Sequence, residues 1–280
     1  MSNTASNPLQ KHFRRPAIHL KLPSQGRFYP EGTLNLPVTG EIPVYPMTVK
    51  DELTLKTPDA LMNGSGMVEV VRSCCPNILD PWHMPAVDVD AVFVAIRLAS
   101  YGNAMDFTSA CPHCKEKNEH SIDLRVLLDN LHPANYTAPV VIDGLQFHFK
   151  PQNYQNINQT NIITFEERRL VDSIVLNDQL NEEEKLAKFN ESFEKLKQMN
   201  VDVVAASINS VTTDDGTVVT DRASIIEFLD NCSRQVYDAI KNNIEELIKK
   251  NKIDDVKLTC TECEKNYSSE LVFDQANFFG

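Results

Sequence analysis

Apolar side chains recur at helical spacing in three segments of the first hundred residues, and this spacing predicts helices. The predicted helices cover residues 52–61, 66–75 and 89–101. We expect Asp88 to be the N-cap of the third helix and Gly102 to follow its last turn. Because the third helix is apolar on most of its faces, it is the expected centre of the core.

The second half of the chain alternates short hairpins with longer, more charged helices. Residues 140–149 predict a β-hairpin, because Asp143-Gly144 supplies a two-residue turn between two short strands. Helical patterns then cover residues 152–206, and a further one runs from Asp221 or Ser224 to Lys250. The expected fold class is therefore α+β, mainly helical with short β-hairpins.

The first 47 residues have a different character, because proline and glycine are frequent between residues 22 and 46. Residues 33–36 and 41–45 predict short strands at a sheet edge, and residues 1–15 predict a mobile arm. We interpret residues 1–47 as an extended N-terminal arm with short strands that docks on another surface. A surface loop of the protein's own domain is the alternative.

Composition and charge favour a globular protein that neither binds nucleic acid broadly nor spans a membrane. Hydrophobic residues make up 42% of the 280 residues and charged residues 24%, which is typical of a globular protein. The net charge of −12 argues against broad contact with a nucleic-acid backbone. No apolar run is long enough to span a bilayer, and the N-terminus lacks a secretory signal. We therefore expect synthesis in the cytoplasm and no stable membrane insertion.

Cysteine spacing carries the clearest chemical signal in the chain. In a reducing cytoplasm the seven cysteines are expected to be thiols or metal ligands rather than disulfides. Four of them form two Cys-x-x-Cys pairs, Cys111 with Cys114 and Cys260 with Cys263. The others, Cys74, Cys75 and Cys232, have no ligand-like spacing and are expected to be packed in the interior.

The flanks of the two cysteine pairs match each other. Each pair follows a β-like run and precedes another, so each predicts a strand, a tight knuckle and a strand. A Lys-Asn follows each pair, and the second copy has one residue fewer between its second cysteine and this Lys-Asn. We expect Asn118 and Asn266 to suit the left-handed geometry of the turn. His113 and His120 are expected outside the ligand set.

Four thiolates from two such knuckles predict a split zinc-ribbon-like site, closed and tetrahedral, with Cys111, Cys114, Cys260 and Cys263 as ligands. The expected ion is a structural Zn²⁺, and iron suits the same four thiolates. The alternatives are a thioredoxin-like redox motif, which requires one pair at a helix start, and two unrelated surface pairs.

The two knuckles lie far apart along the chain, which divides it into four parts. The expected parts are an extended N-terminal arm (1–47), a helical core with the first knuckle (48–135), a hairpin and helical insertion (136–255), and the second knuckle (256–280). A metal bound by both knuckles would fasten the C-terminal part to the middle of the fold.

Catalytic constellations are missing from the sequence. We find no glycine-rich phosphate loop, no His-Glu-x-x-His and no Ser/His/Asp arrangement, so no enzyme is expected and no catalytic residue is assigned. The alternatives are an enzyme such as a hydrolase, whose carboxylates the sequence alone does not pair, and a zinc-ribbon protein that binds nucleic acid or acts in transcription. Such a zinc-ribbon protein requires basic surroundings, and the lysines near the cysteines are offset by glutamates.

Several strings, in order, resemble the baseplate hub proteins of T-even-like contractile-tailed bacteriophages. They are Leu-Pro-Ser-Gln-Gly-Arg-Phe-Tyr-Pro at 22–30, Met-Thr-Val-Lys-Asp-Glu-Leu at 47–53, Ile-Arg-Leu-Ala-Ser-Tyr-Gly at 96–102, and the Cys-Pro-x-Cys that follows. The resemblance is good over residues 18–130 and looser beyond them. The chain is longer than typical members of that family, and its extra length lies in the acidic helical middle.

The resemblance implies a structural protein of the virion tail, near the centre of the baseplate. It implies partners among the other baseplate and hub proteins, including the spike, the end of the tail tube and the wedge subunits. It also implies no enzymatic activity. The residues themselves agree with this, since they offer a closed metal site and an arm suited to bridging neighbours.

Overall fold

The computed structural model describes residues 7–57, 63–131, 134–176, 181–251 and 255–269. The helices in these ranges are α1 Val49–Leu55, α2 Ser65–Cys74, α3 Ala86–Tyr101, α4 Leu124–Asp129, α5 Tyr154–Val175, α6 Glu182–Ala206, α7 Arg222–Asn231 and α8 Arg234–Asn251. The strands are β1 Ile18–Lys21, β2 Glu41–Val44, β3 Ala104–Ala110, β4 Lys117–Asp123, β5 Val140–Ile142, β6 Leu145–Phe149, β7 Ile208–Thr212, β8 Val218–Val219, β9 Val256–Thr259 and β10 Asn266–Ser269. Helices with short antiparallel strand pairs confirm the predicted α+β class.

The first core forms around α3, as the apolar pattern predicts. Val92 and Ile96 of this helix are fully buried against α2 and against the antiparallel β1–β2 hairpin. The predicted strand at 41–45 is confirmed as β2, but its partner β1 was not predicted. Leu34 of the other predicted strand forms only an isolated bridge with Ile78. The strands of the N-terminal segment are therefore part of the first core.

One expectation for the N-terminal half is wrong, the cap of α3, because this helix begins at Ala86 and its N-cap is Pro85. The mobile arm stays a prediction: residues 7–13 are exposed, and near its end the guanidinium of Arg14 donates to the carbonyls of Pro46 (2.5 Å) and Ser73 (2.8 Å). Residues 1–6 of the arm lie outside the described residues.

Asp88 instead lies in the first turn of α3 and is completely buried. Its carboxylate accepts hydrogen bonds from the backbone N–H of Ser24 (2.7 Å) and from the Ser24 hydroxyl (2.5 Å). Burial raises the pKa of Asp88 to about 6, although the bonds from Ser24 lower it. A buried carboxylate thus fixes the N-terminal turn at residues 24–28 to the central helix.

The second core packs around the antiparallel sheet β5-β6-β7-β8, with Phe147, Ile208 and Ile240 in its interior. The predicted hairpin turn at Asp143-Gly144 is confirmed, and both residues have positive φ angles of 51° and 80°. The predicted continuous helix from Asp221 to Lys250 is wrong, because it is divided into α7 and α8. Cys232 has extended backbone there, and the Ser233 hydroxyl accepts from the N–H of Val236 (3.3 Å), starting α8.

The order of elements positions the two cysteine pairs. β3 and β4 follow α3 directly and carry the first pair. After α4 come the strands β5 to β8 and the helices α5 to α8. β9 and β10 follow α8 and carry the second pair. The two hairpins meet in a small third core, composed of Cys111, Leu258, Cys260 and Tyr267 with the partly buried Phe107 and Val256 against it.

Candidate metal centre

The hairpins β3–β4 and β9–β10 carry knuckles with the same backbone hydrogen bonds. In the first, the N–H of Cys111 donates to the carbonyl of Glu116 (2.9 Å). In the second, the N–H of Cys260 donates to the carbonyl of Lys265 (3.0 Å). The strands then pair at equivalent places, with Ala110 opposite Lys117 and Thr259 opposite Asn266. The predicted strand, knuckle and strand are present twice.

The hydrogen bonds align the knuckles without a gap, so the expected one-residue difference is wrong. The left-handed residue of each turn directly follows the second cysteine: Lys115 has a φ of 65° and Glu264 a φ of 56°. The asparagines that we expected there lie at or in the following strands. A repeated Lys-Asn in the sequence therefore gave an alignment that the backbone does not follow.

The four cysteine thiols of the two knuckles come together, although the pairs lie far apart in sequence. The Sγ atoms of Cys111 and Cys263 are 3.7 Å apart, and those of Cys114 and Cys260 are 3.5 Å apart. All four Sγ atoms lie within 4.8 Å of one another, an arrangement that could hold a metal ion. A tetrahedral zinc site with Zn–S bonds of ~2.3 Å requires sulfur–sulfur distances of about 3.8 Å. These four thiols, which we call the four-cysteine cluster, therefore fit such an ion in both donor type and spacing.

Burial differs between the two members of each pair. Cys111 and Cys260, the first of each pair, are buried, whereas Cys114 is exposed and Cys263 is partly exposed. The backbone N–H groups of its own knuckle, Cys263 first, lower the pKa of Cys260 to about 6. Burial raises the pKa of Cys111, but knuckle N–H groups outweigh it and the net shift is downward. The knuckle backbone therefore favours thiolates at the two buried positions.

Two polar side chains join one hairpin to the other. The Asn118 side-chain oxygen accepts from the N–H and the hydroxyl of Thr261 (2.8 Å each), and its amide donates to the Cys260 Sγ (3.5 Å). The Tyr267 hydroxyl lies 2.6 Å from the Ser109 hydroxyl and 3.0 Å from His120 Nε2. Sequence reasoning missed Asn118 and Tyr267 as contacts between the hairpins, because nothing along the chain pairs them with residues more than a hundred positions away.

Changing Asn118 to alanine should weaken metal binding about tenfold or more, because residues that orient metal ligands contribute on that scale. Asn118 is buried and contacts both Cys260 and its neighbour Thr261. Competition for zinc with a chromogenic chelator measures the change. Asn266→Ala is the matched control, since this asparagine is exposed and its side-chain oxygen accepts from the Thr259 hydroxyl of its own hairpin (2.9 Å). Equal affinities for the two variants would contradict the role of Asn118.

The surface around the four-cysteine cluster has mixed charge. The exposed charged residues on the knuckles are Lys115, Glu116, Lys117, Glu119, Glu262, Glu264 and Lys265. Since these residues comprise four carboxylates and three ammonium groups, the knuckles form no basic stripe that could bind a phosphate backbone. This balance does not favour the alternative of nucleic-acid binding.

Two helix-rich cores and two hairpins that bring four thiols together define an α+β protein with a candidate closed metal site. The chain matches the family described as T4 bacteriophage base plate protein over residues 16–280 and belongs to that family. The resemblance seen in the sequence is confirmed for the base plate family, and the match extends well past residue 130. A structural role in the tail baseplate of a virion follows. Comparisons with curated proteins and with solved structures find no match.

Among the residues that the structure describes, no helix combines the length and the apolar character needed to cross a membrane.

Proposed function

We propose that this protein is a structural subunit of the central hub region of the baseplate, where it bridges neighbouring subunits during assembly. Its partners are the spike, the end of the tail tube and the wedge subunits. It is made in the host cytoplasm, works by contact and catalyses no reaction. Membership of the base plate family over residues 16–280 supports this role, and so do the sequence strings that resemble hub proteins.

The observation that supports a metal clasp is that the four thiols come from hairpins on both sides of the second core along the chain. Cys111 and Cys114 lie on the hairpin that follows α3 of the first core, and Cys260 and Cys263 lie beyond α8 of the second core. An ion at the four-cysteine cluster would close residues 115–259 into a loop. Opening of the second core away from the first would then require a metal–thiolate bond to break. Such a clasp suits a part that bears force when the tail contracts.

We propose Zn²⁺ as the resident ion, with Cys111, Cys114, Cys260 and Cys263 as its ligands. All four coordination positions are filled by protein, so the ion would have a structural role rather than a catalytic one. Iron prefers the same donors, and the colour of the purified protein distinguishes the two, because an iron site with four thiolate ligands is red or brown and a zinc site is colourless.

The four-part division of the chain belongs to the same proposal. Residues 1–47 form the arm, 48–135 the helical core with the first knuckle, 136–255 the insertion, and 256–280 the closing knuckle. The β1–β2 hairpin of the arm packs on α3, so its contribution to bridging would come from the exposed residues around it, such as Phe13 and Val38.

Affinity purification of the tagged chain from infected cells should recover spike and tail-tube proteins, identified by mass spectrometry. Neighbours in an assembled hub bury large interfaces and survive purification. A tagged, unrelated virion head protein controls for contamination by whole particles. Recovery of polymerase subunits without baseplate proteins would overturn the proposal and favour a transcription role.

A further inference from the structure

A cavity of about 290 Å³ lies where the first and second cores meet. Phe28 and Pro30 of the N-terminal turn form one wall, and the beginnings of α5 and α7 form others. Backbone hydrogen bonds fasten the cores beside it, from the N–H of Ala86 to the Gln152 carbonyl (2.7 Å) and from the N–H of Tyr154 to the Met84 carbonyl (2.8 Å). The cavity therefore has fixed walls.

Its lining is cationic although the protein carries a net charge of −12. Lys150, Arg222 and His83 line it, together with Asn153, Asn156 and Thr220, and its lining includes no carboxylate. Arg222 is paired with Asp202 (3.0 Å) and His83 with Asp80 (2.7 Å), both of them outside the lining. Within the described ranges, Lys150 has no carboxylate at ion-pair distance. Burial, and then the charge of Arg222, lower the pKa of this half-buried lysine.

The helices add to the positive potential. The cavity is lined by the N-cap and first turn of α5, at Asn153 and Asn156, and by the start of α7 at Arg222. Helix N-termini carry partial positive charge and favour anions. The end of α6 at Ala206 contributes one opposing dipole. The α7 N-terminus adds little, because the Asp221 carboxylate caps it and accepts from the N–H of Ser224 (2.9 Å). The α5 N-terminus, the ammonium group of Lys150 and two paired cations still favour a negative guest.

The wall at Phe28 is held in a strained conformation. Its φ of 73° is left-handed, which is rare for a bulky side chain and is typical of functional sites. The ring packs edge-on against Tyr136 at 5.7 Å and is partly exposed. The preceding Ser24 is bonded to the buried Asp88, so the turn cannot relax easily. The protein thus maintains an aromatic wall beside the unpaired ammonium group.

We propose that this cavity binds a carboxylate of a partner protein, presented as an aspartate or glutamate side chain or as a C-terminal carboxylate in an acidic segment. The choice of a protein partner rests on the proposed baseplate function. A nucleic-acid strand is disfavoured, because a polyanion needs an extended basic track and the protein carries a net charge of −12. A single small cationic cavity accommodates one carboxylate and leaves the neighbouring acidic residues in solvent.

NMR titration of the zinc-loaded full chain with N-acetyl hexaglutamate tests the site. The amide signals of Lys150, Asn156 and Arg222 should shift and saturate. Lys150→Met keeps the aliphatic stem and removes the charge, so it should weaken binding about tenfold or more, the value of one charge-assisted hydrogen bond. Lys241→Met is the control, since this exposed lysine on α8 pairs with Glu245, neither residue lines the cavity, and its loss should leave the affinity unchanged.

N-acetyl hexaglutamine and inorganic phosphate complete the test. The neutral peptide should not bind, and phosphate should bind more weakly than hexaglutamate. Absence of binding by hexaglutamate, equal affinity in Lys150→Met with its fold intact, or phosphate binding as tight as the peptide would each overturn the proposal. If hexaglutamate fails but the tagged chain still recovers spike and tube proteins, the cavity assignment alone is wrong. If it binds through Lys150 and no baseplate protein is recovered, the hub function is wrong and the anion site stands.

Discussion

Changing Cys260 to serine should release one equivalent of metal per chain and open the pair of hairpins, while both larger cores remain folded. Cys260 is buried and its Sγ lies 3.5 Å from that of Cys114. Structural zinc sites contribute about 10–16 kcal/mol of apparent binding free energy at neutral pH, far more than the few apolar contacts between these short strands. Metal analysis by mass spectrometry measures the first effect, and faster amide hydrogen exchange in β9 and β10 measures the second.

Cys232→Ser is the matched control for that experiment. Cys232 is partly buried at the break between α7 and α8, and its thiol donates to the Leu229 carbonyl (3.5 Å), outside the four-cysteine cluster. This variant should retain its full metal content and its slow exchange in β9 and β10. A Cys260→Ser protein that held a full equivalent of metal and assembled tails like the wild type would contradict the clasp.

The parts of this structure that were predictable from sequence are those that depend on neighbouring residues. The turn at Asp143-Gly144 follows from the backbone preferences of two adjacent residues, and helix α3 follows from a local apolar pattern. The four-cysteine cluster spans a long separation, yet it could be predicted because each half carries its own Cys-x-x-Cys signature. The duplication of a local signal, rather than any knowledge of the fold, indicated the pairing.

Two of the missed features depend on contacts between distant residues, and a third depends on a weak local signal. Asp88 looks like a helix cap in the sequence, and only the fold brings Ser24 to it. Among the described residues Lys150 lacks an ion-pair partner, and this depends on which side chains pack around it, which the sequence does not show. The break at Cys232 was missed because the apolar residues of α7 and α8 continue in one helical pattern, while the cap at Ser233 is a weak local signal.

Changing Asp88 to asparagine should remove a pH dependence of stability that the wild type shows between about pH 4 and pH 6. The pKa of Asp88 is raised from 3.8 to about 6, chiefly by burial. A carboxyl whose pKa rises on folding binds its proton more tightly in the folded state, so its stabilising effect is present at low pH and is lost as the pH rises through about 6. The shift of about two units corresponds to roughly 3 kcal/mol. Relative to Asp88→Asn, the wild type should therefore lose about that much stability between pH 4 and pH 7, measured by urea unfolding.

Two further variants separate the charge of Asp88 from its hydrogen bonds. Asp88→Ala should be less stable than Asp88→Asn by about 2–4 kcal/mol at every pH, because the buried N–H and hydroxyl of Ser24 lose their acceptor. Asp129→Asn changes an exposed carboxylate on α4 and should reproduce the wild-type pH profile. Protonation of the cysteine thiols at low pH affects all of these proteins alike and cancels in the comparison. A constant difference between wild type and Asp88→Asn from pH 4 to pH 7 would show that Asp88 keeps one protonation state throughout, and the buried carboxyl would then fix the N-terminal turn without sensing pH.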